Sequence, residues 1–280
     1  MLRKKNIFAH MLRVAGLTLF ILSFSVFATE TLHPVSAPAN SIQVSGAFEL
    51  NEDVYSADMA FSAEISPVDF LSVYADASFR FLSYSYEYAI GGYIHNYCNL
   101  HVNGFNETYV GMKALAYHGI GLDVNWRFPP GEGSQENRFH RLMLSPFVTY
   151  SPWESLSLGT AFRYATFIES DNLKRGDEAG FKASLTWKFF QNKRNKSNWQ
   201  LTEIFLFEKR IESSRNNNMK SPYSDMQDTY SGIKFKFSLV RNFRLCDFPL
   251  GIGLDYEIHK GTLFGFETGH RLEAFVQSQF

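Results

Sequence analysis

The carboxy-terminal stretch RLEAFVQSQF, residues 271–280, changes polarity at nearly every residue. One set of alternate positions is mostly apolar and comprises Leu272, Ala274, Val276, Ser278 and Phe280. The other set is mostly polar and includes Arg271, Glu273, Gln277 and Gln279. Because successive side chains of a strand point to opposite faces, a period of two indicates β-structure. The stretch predicts a strand with one apolar and one polar face that ends on an aromatic residue.

The same alternation recurs after Ser41 in segments such as 120–128, 181–189 and 250–258. These segments are roughly ten residues long, the length that a tilted strand needs to cross a bilayer. We predict twelve strands, with ten or fourteen as alternatives: about 41–50, 54–65, 70–82, 107–117, 120–128, 139–150, 155–167, 178–190, 198–210, 229–240, 248–258 and 265–280. In the ninth strand the alternation fails between Glu203 and Phe207, which predicts a bulge or a different boundary.

A short internal repeat indicates how the strands connect. Ser66-Pro67-Val68-Asp69 and Ser151-Pro152-Trp153-Glu154 each join one alternating run to the next. Proline presets a turn dihedral angle, so both segments predict tight hairpin turns at the end that carries both termini. The opposite end has longer connections, at roughly 83–106, 129–138, 168–177 and 211–228. The prediction is an all-β fold, a closed antiparallel up-and-down barrel.

This pattern resembles the bacterial outer-membrane β-barrels, whose closing strand carries a terminal Phe that the assembly machinery recognises. The resemblance covers nearly all of the chain after its leader. It implies a transmembrane barrel in the outer membrane of a Gram-negative (diderm) bacterium, with Phe280, Val276 and Leu272 as the assembly signal. Outer-membrane lipid and the barrel-assembly machinery are the implied partners. A soluble β-sandwich is the alternative.

Aromatic residues near the strand ends predict two interfacial girdles. One would contain Tyr150, Trp153, Phe189, Phe190, Trp199 and Phe280. The other would contain Tyr109, Phe128, Phe139, Phe167 and Tyr230.

The amino-terminus has the features of an export signal. Basic residues precede an apolar run of about 15 residues, which is shorter than the about 20 that a membrane-spanning helix needs. We predict that residues 1–28 are a cleaved signal peptide, that 29–40 form a periplasmic N-terminal segment, and that 41–280 form the barrel. A retained membrane anchor is the alternative.

Composition limits the possible partners. Without the four basic residues of the leader, the chain has 23 Lys and Arg against 28 Asp and Glu, a net charge of −5. Such a charge does not favour nucleic-acid binding. The two cysteines, Cys98 and Cys246, are too few for a disulfide framework, and the strand assignment puts them at opposite ends of the barrel.

Charged residues on the polar faces are the candidates for a lumen that selects solutes. They are Asp76, Arg80, Asp123, Arg127, Arg163, Lys182, Lys188, Lys234, Lys236, Asp255 and Glu257. On these polar faces, basic residues dominate the seventh, eighth and tenth predicted strands and acidic residues dominate the eleventh. The inner wall of the barrel is therefore predicted to have a basic side and an acidic side. A lining of this kind would favour anionic or zwitterionic solutes. Alternatively these charges neutralise one another, for example Lys234 with Asp255 across a hairpin.

The predicted function is a narrow channel for passive uptake of small hydrophilic solutes, without a cofactor or a metal. A structural or surface-interaction barrel that acts through its outer loops is the rival, and the Tyr-rich stretch from Tyr84 to Phe105 could serve it. A barrel hydrolase is disfavoured because no His begins a His-x-Ser pair and neither Asp-Asp nor Asp-His occurs. The spacing of His95, Cys98 and His101 leaves a loop metal site as a weaker alternative.

Overall fold

Fourteen strands account for nearly all of the regular structure that the computed structural model describes, which covers residues 33–51, 54–90, 93–128, 140–168, 173–174, 176–192, 197–211, 215–216, 231–246, 248–261 and 269–280. The first seven strands are β1 (Ser41–Asn51), β2 (Val54–Val68), β3 (Leu71–Ile90), β4 (Tyr93–Leu115), β5 (Ile120–Phe128), β6 (Arg141–Trp153) and β7 (Leu156–Phe167). The others are β8 (Leu173–Lys174), β9 (Glu178–Asn192), β10 (Ser197–Arg210), β11 (Arg215–Asn216), β12 (Ser231–Leu245), β13 (Phe248–Gly261) and β14 (Gly269–Gln279). Within these ranges, no helix is long and apolar enough to cross a membrane.

Twelve of these strands form a closed barrel in which every neighbouring pair is antiparallel. The order around the wall follows the chain, except that the two-residue strands β8 and β11 pair with each other outside it. The barrel closes where β1 pairs with β14, from Ser41 opposite Gln279 to Leu50 opposite His270. The predicted all-β class, antiparallel topology and number of barrel strands are therefore confirmed.

Both termini of the barrel lie at one end, which we call the terminal end; the other is the loop end. The amide of Phe280 donates to the carbonyl oxygen of Asn40 at 3.1 Å, and the Asn40 side chain accepts from the amide of Ser66 at 2.8 Å. Pro67 and Pro152 each lie in a register shift just before a two-residue turn. The predicted position of both prolines at the end of Phe280 is confirmed.

The β3–β4 hairpin differs from the prediction. Instead of a loop over 83–106, the two strands stay paired as far as Ile90 opposite Tyr93 and are 20 and 23 residues long. Tyrosines recur at every second position from Tyr84 to Tyr88, and aromatic residues favour strands, so the pairing continues. The hairpin extends well beyond the paired parts of its neighbours at the loop end.

The distribution of polarity across the wall is the inverse of a soluble protein's. Leu254 and Leu272 point outward and are 58% and 56% exposed, whereas Arg271 and Glu273 point inward and are each 1% exposed. Apolar side chains of this kind cover the outer surface of most strands. An outer apolar band around a polar interior is the arrangement that a barrel needs in lipid.

Both predicted aromatic girdles are confirmed in part. Tyr150, Trp153, Phe190 and Phe280 are exposed at the terminal end and Phe128 is exposed at the loop end, whereas Phe189 and Trp199 are half-buried. Two residues of the second girdle instead face inward, so their assignment was wrong. Phe167 is buried, and Tyr109 lies opposite Asp76 and Arg127 with its ring edge-on to Tyr74. Phe139 and Tyr230 lie outside the described residues.

Strand β10 has an inverted polarity in its middle. Ile204 and Leu206 face inward and are almost fully buried, while Glu203 is exposed on the outer face between Leu185 and Phe237. The pairing with β12 runs without a shift from Asn198 to Lys209. The predicted bulge is therefore wrong: the alternation fails because the residue types change, not the register.

Candidate functional site

The inner face of the barrel carries the charged residues that were predicted to line it. Asp76, Arg127, Arg163, Lys236, Asp255 and Glu257 are buried on this face, and Arg80, Asp123, Lys182, Lys188 and Lys234 lie along it. The structure adds inward-facing residues that the sequence analysis did not identify, notably Glu49, Asp58, Glu64, Glu178, Glu208, Arg210 and His259. Their role in selecting solutes stays a prediction.

In one half of the interior, bounded by β12, β13, β14 and β1–β3, ion pairs fill the part towards the loop end. Lys236 Nζ lies 2.5 Å from Asp255 Oδ2 and 3.7 Å from Glu273 Oε2. Arg271 Nη2 donates to Glu273 Oε2 at 2.8 Å, and its Nη1 lies 3.8 Å from Glu257 Oε2. Each of these side chains is nearly fully buried, so the charges neutralise one another.

The pairing continues into β1–β3. Arg80 Nε donates to Asp58 Oδ1 at 2.8 Å, and His259 Nε2 lies 3.2 Å from Glu49 Oε1. The predicted partnership of Lys234 with Asp255 is wrong, because Lys234 is opposite His259 in the register and lies 3.8 Å from Glu257 instead. For this half of the barrel, mutual neutralisation describes the charges better than a selectivity lining.

The opposite wall, formed by β4–β7, β9 and β10, surrounds open space. Arg163 Nη1 lies 2.9 Å from Glu208 Oε1 and Arg141 Nη2 lies 3.5 Å from the same atom. Arg163 Nε also donates to the Met143 sulfur at 3.1 Å. Glu208 was missed because it belongs to the strand whose alternation is inverted. The sequence nevertheless contains a signal for Glu208: it is an even number of residues away from Thr202, so the two side chains share the inner face of the strand.

A cavity of about 790 Å³ lies beside this wall. Seven basic residues line it: Lys113, Arg127, Arg141, Arg163, Lys182, Lys188 and Lys236. Five acidic residues line it: Glu64, Asp69, Asp76, Asp123 and Asp255. The volume falls within the range of small-molecule sites, about 300–1,000 Å³. The cavity is polar, large enough for a small solute, and lined by an excess of bases.

Tyr74 shows how the wall keeps this space open. Its ring lies flat on the cross-strand residue Gly111, where any side chain would collide with it. The Tyr74 hydroxyl donates to Asp123 Oδ1 at 2.6 Å and accepts from Asn125 Nδ2 at 3.1 Å. Lys113 Nζ lies 5.3 Å from the centre of the ring, within the range of a cation–π contact. The aromatic side chain is thereby held against the wall and out of the lumen.

Residues 33–40, which precede β1, lie inside the terminal end of the barrel and line the cavity from within. His33 Nε2 lies 3.1 Å from Asp76 Oδ1 on β3. The Val35 amide donates to Ser184 Oγ on β9 at 3.0 Å, and the Ala39 amide donates to Glu64 Oε1 on β2 at 3.1 Å. A segment before the barrel was expected from the sequence, but its location within the lumen was not.

The described residues contain no group of three His, Cys, Asp or Glu side chains that could hold a metal ion. The backbone of the stretch with His95, Cys98 and His101 forms part of the β3–β4 hairpin instead of the predicted loop.

No protein-family model matches the sequence. No curated protein matches it either. Solved structures do match. The COG4313 outer membrane channel from Pseudomonas putida F1 has a TM-score of 0.57 at 9% identity, over 90% of this chain and 100% of that chain. The NanC porin has a TM-score of 0.53 at 8% identity, over 85% of this chain and 100% of that chain.

LpxR from Salmonella typhimurium is similar to a comparable extent, with a TM-score of 0.51 at 8% identity over 86% of this chain and 100% of that chain. At such low identity these likenesses establish a shared fold and nothing more. The protein has the fold of the closed antiparallel β-barrels that these three proteins share. Its particular form is a closed twelve-stranded barrel with a charged interior and a chain segment inside one mouth.

Proposed function

We propose that the protein is a narrow channel in the outer membrane of a diderm bacterium that admits small hydrophilic solutes passively, without catalysis. The observation that carries this proposal is the polar cavity of about 790 Å³ inside a closed barrel with an apolar outer surface. Twelve strands lie between the eight that leave an interior filled by side chains and the sixteen or more that leave a wide channel. A bore of intermediate size suits single small solutes.

The charge distribution supports a preference for anionic or zwitterionic solutes. The ion-paired half of the barrel is internally neutralised, and without its Lys236 and Asp255, which pair with each other, six bases face four acids around the cavity. Lys182 is the fifth of the fifteen residues of β9 from the loop end, and Lys188 is exposed nearer the terminal end of the same strand. A positive potential in a space with low-dielectric walls raises the local concentration of anions.

Planar-bilayer recording tests the proposal. Purified protein should form discrete conducting events, and the reversal potential across a KCl gradient should indicate anion preference. In the double variant Lys182→Glu/Lys188→Glu the reversal potential should move towards that of a cation-selective pore. Lys260→Glu is the matched control, because Lys260 is exposed on the outer face of β13 and should leave the reversal potential unchanged. A reversal potential that is the same in all three proteins would refute the assigned lining.

A surface-interaction barrel is the second candidate, and the long β3–β4 hairpin favours it. Its strands continue beyond the neighbouring strands and carry Tyr84, Tyr86, Tyr88, Tyr93 and Tyr97. Aromatic residues of this kind are frequent in binding surfaces. A variant in which residue 82 is joined to residue 103 by a short turn lacks the projecting part of the hairpin. Its conductance should be intact in either case. Solute uptake by cells should also persist if the protein is a channel, whereas adhesion of cells to the partner should be lost if the hairpin is a binding surface.

A further inference from the structure

We propose that residues 33–40 are a plug that closes the terminal mouth of the barrel and must leave for solutes to pass. The wall contains a binding site for this extended peptide, and the chain's own segment occupies it. The inference rests on the proposed channel function for its consequence, but the binding of the segment can be measured without any conductance.

The segment is long enough to block the mouth. Asn40 is fixed at the rim between β2 and β14 by its bonds to Ser66 and Phe280, while Val35 contacts Ser184 on β9. In the order of strands around the wall, β7 and β9 lie opposite β1. Five extended residues cover about 15 Å, so the segment crosses the lumen from one side to the other. His33 then turns back to Asp76 on β3.

The wall has a recess for the segment. Gly159 on β7 and Ser184 on β9 are cross-strand partners that face inward. A Cβ atom added at Gly159 would lie 2.5 Å from the Val35 carbonyl oxygen and 2.7 Å from the Val35 Cβ. Ser184 Oγ accepts from the Val35 amide at 3.0 Å and lies 3.4 Å from the Val35 oxygen. Only glycine lets the peptide approach this closely.

The segment is held more weakly than the strands. Residues 33–40 have no regular secondary structure, and Pro34 and Pro38 have no amide hydrogen to donate. Its amides at Val35 and Ala39 bond to side chains of the wall. Each barrel strand, in contrast, is hydrogen-bonded along both edges. The segment can therefore detach while the barrel stays closed.

The first experiment measures occupancy directly. In a Cys98→Ser/Cys246→Ser background, Val35→Cys is labelled with a bulky membrane-impermeant maleimide in detergent, with and without Gly159→Ala. The Cβ atom that Gly159→Ala adds would push Val35 away from Ser184. If the segment thereby loses the contribution of about one hydrogen bond to its binding, the labelling rate should rise roughly tenfold. Gly104→Ala is the matched control, since Gly104 lies on the barrel strand β4 and an added Cβ there meets nothing within 4 Å. Equal rates in the three proteins would overturn the proposal.

The second experiment locks the segment in place. The pair Val35→Cys/Gly159→Cys can form a disulfide if the two Cβ atoms separate by about 1 Å, to the usual 3.8 Å or so. The oxidised protein should conduct little and the reduced protein several-fold more, with the labelling control run in parallel. Identical conductance in both states would refute the plug as a gate. If labelling responds to Gly159→Ala while neither state conducts, the plug stands and the channel function fails.

Discussion

Replacing Glu203 with Leu should make the protein more stable. Glu203 is the seventh of the fourteen residues of β10 and is exposed on the outer face between Leu185 and Phe237. Six residues at about 3.3 Å each, in a strand tilted by about 40°, place it about 15 Å along the membrane normal from the strand's first residue. It therefore lies near the middle of an apolar band that is about 25 Å tall.

The size of the effect follows from that depth. Lys or Arg at the bilayer midplane costs about 2–4 kcal/mol and an acid costs less, so Glu203→Leu should raise the free energy of unfolding by about 1–2 kcal/mol. Urea titration of the protein folded in lipid vesicles, followed by tryptophan fluorescence, would measure it. Glu203→Gln removes only the charge and should give an intermediate value.

Lys209→Leu is the matched control for this substitution. Lys209 is exposed on the outer face of the same strand but lies near its loop end, where a charge costs about 0–1 kcal/mol. The reasoning fails if Glu203→Leu lowers the stability, or raises it no more than Lys209→Leu does. Either result would mean that Glu203 does not face lipid.

Three further predictions concern assembly, the ion-pair network and sulfur. Deletion of Phe280 should reduce insertion into the outer membrane and raise degradation before insertion; unchanged yield and unchanged heat-modifiable gel mobility would contradict this. Lys236→Met leaves the buried carboxylate of Asp255 without its nearest cation and should cost about 3–5 kcal/mol, of which much should be recovered in Lys236→Met/Asp255→Leu, as measured by urea titration. Cys98 and Cys246 belong to opposite ends of the barrel, so non-reducing mass spectrometry should find no disulfide between them.

The sequence predicts the wall of this barrel well because the relevant information is local. A period of two assigns each residue to the inner or outer face, and the turns at Pro67 and Pro152 fix the end of each hairpin. The partners of charged residues are not local, because they depend on the register between strands. The sequence alone could not tell that Asp255 faces Lys236 and not Lys234.

Two other features could not be predicted for different reasons. The continuation of β3 and β4 was hidden because its alternating tyrosines are polar enough to resemble a loop. The plug was hidden because residues 33–40 have no periodic pattern, and their location depends on Gly159 and Ser184, more than 100 positions away in the chain. Contacts of this range become visible only once the wall is closed.

The pairing of β1 with β14 has a consequence for biogenesis. The first and last strands of the barrel can meet only after all the strands between them have been made, and joining ends so far apart in the chain has a large cost in loop-closure entropy. Asn40, the last residue of the plug, accepts a hydrogen bond from the amide of Phe280, the last residue of the chain. The step that seals the seam therefore also fixes the base of the plug, so the segment is tethered at the mouth of the barrel as soon as the barrel closes.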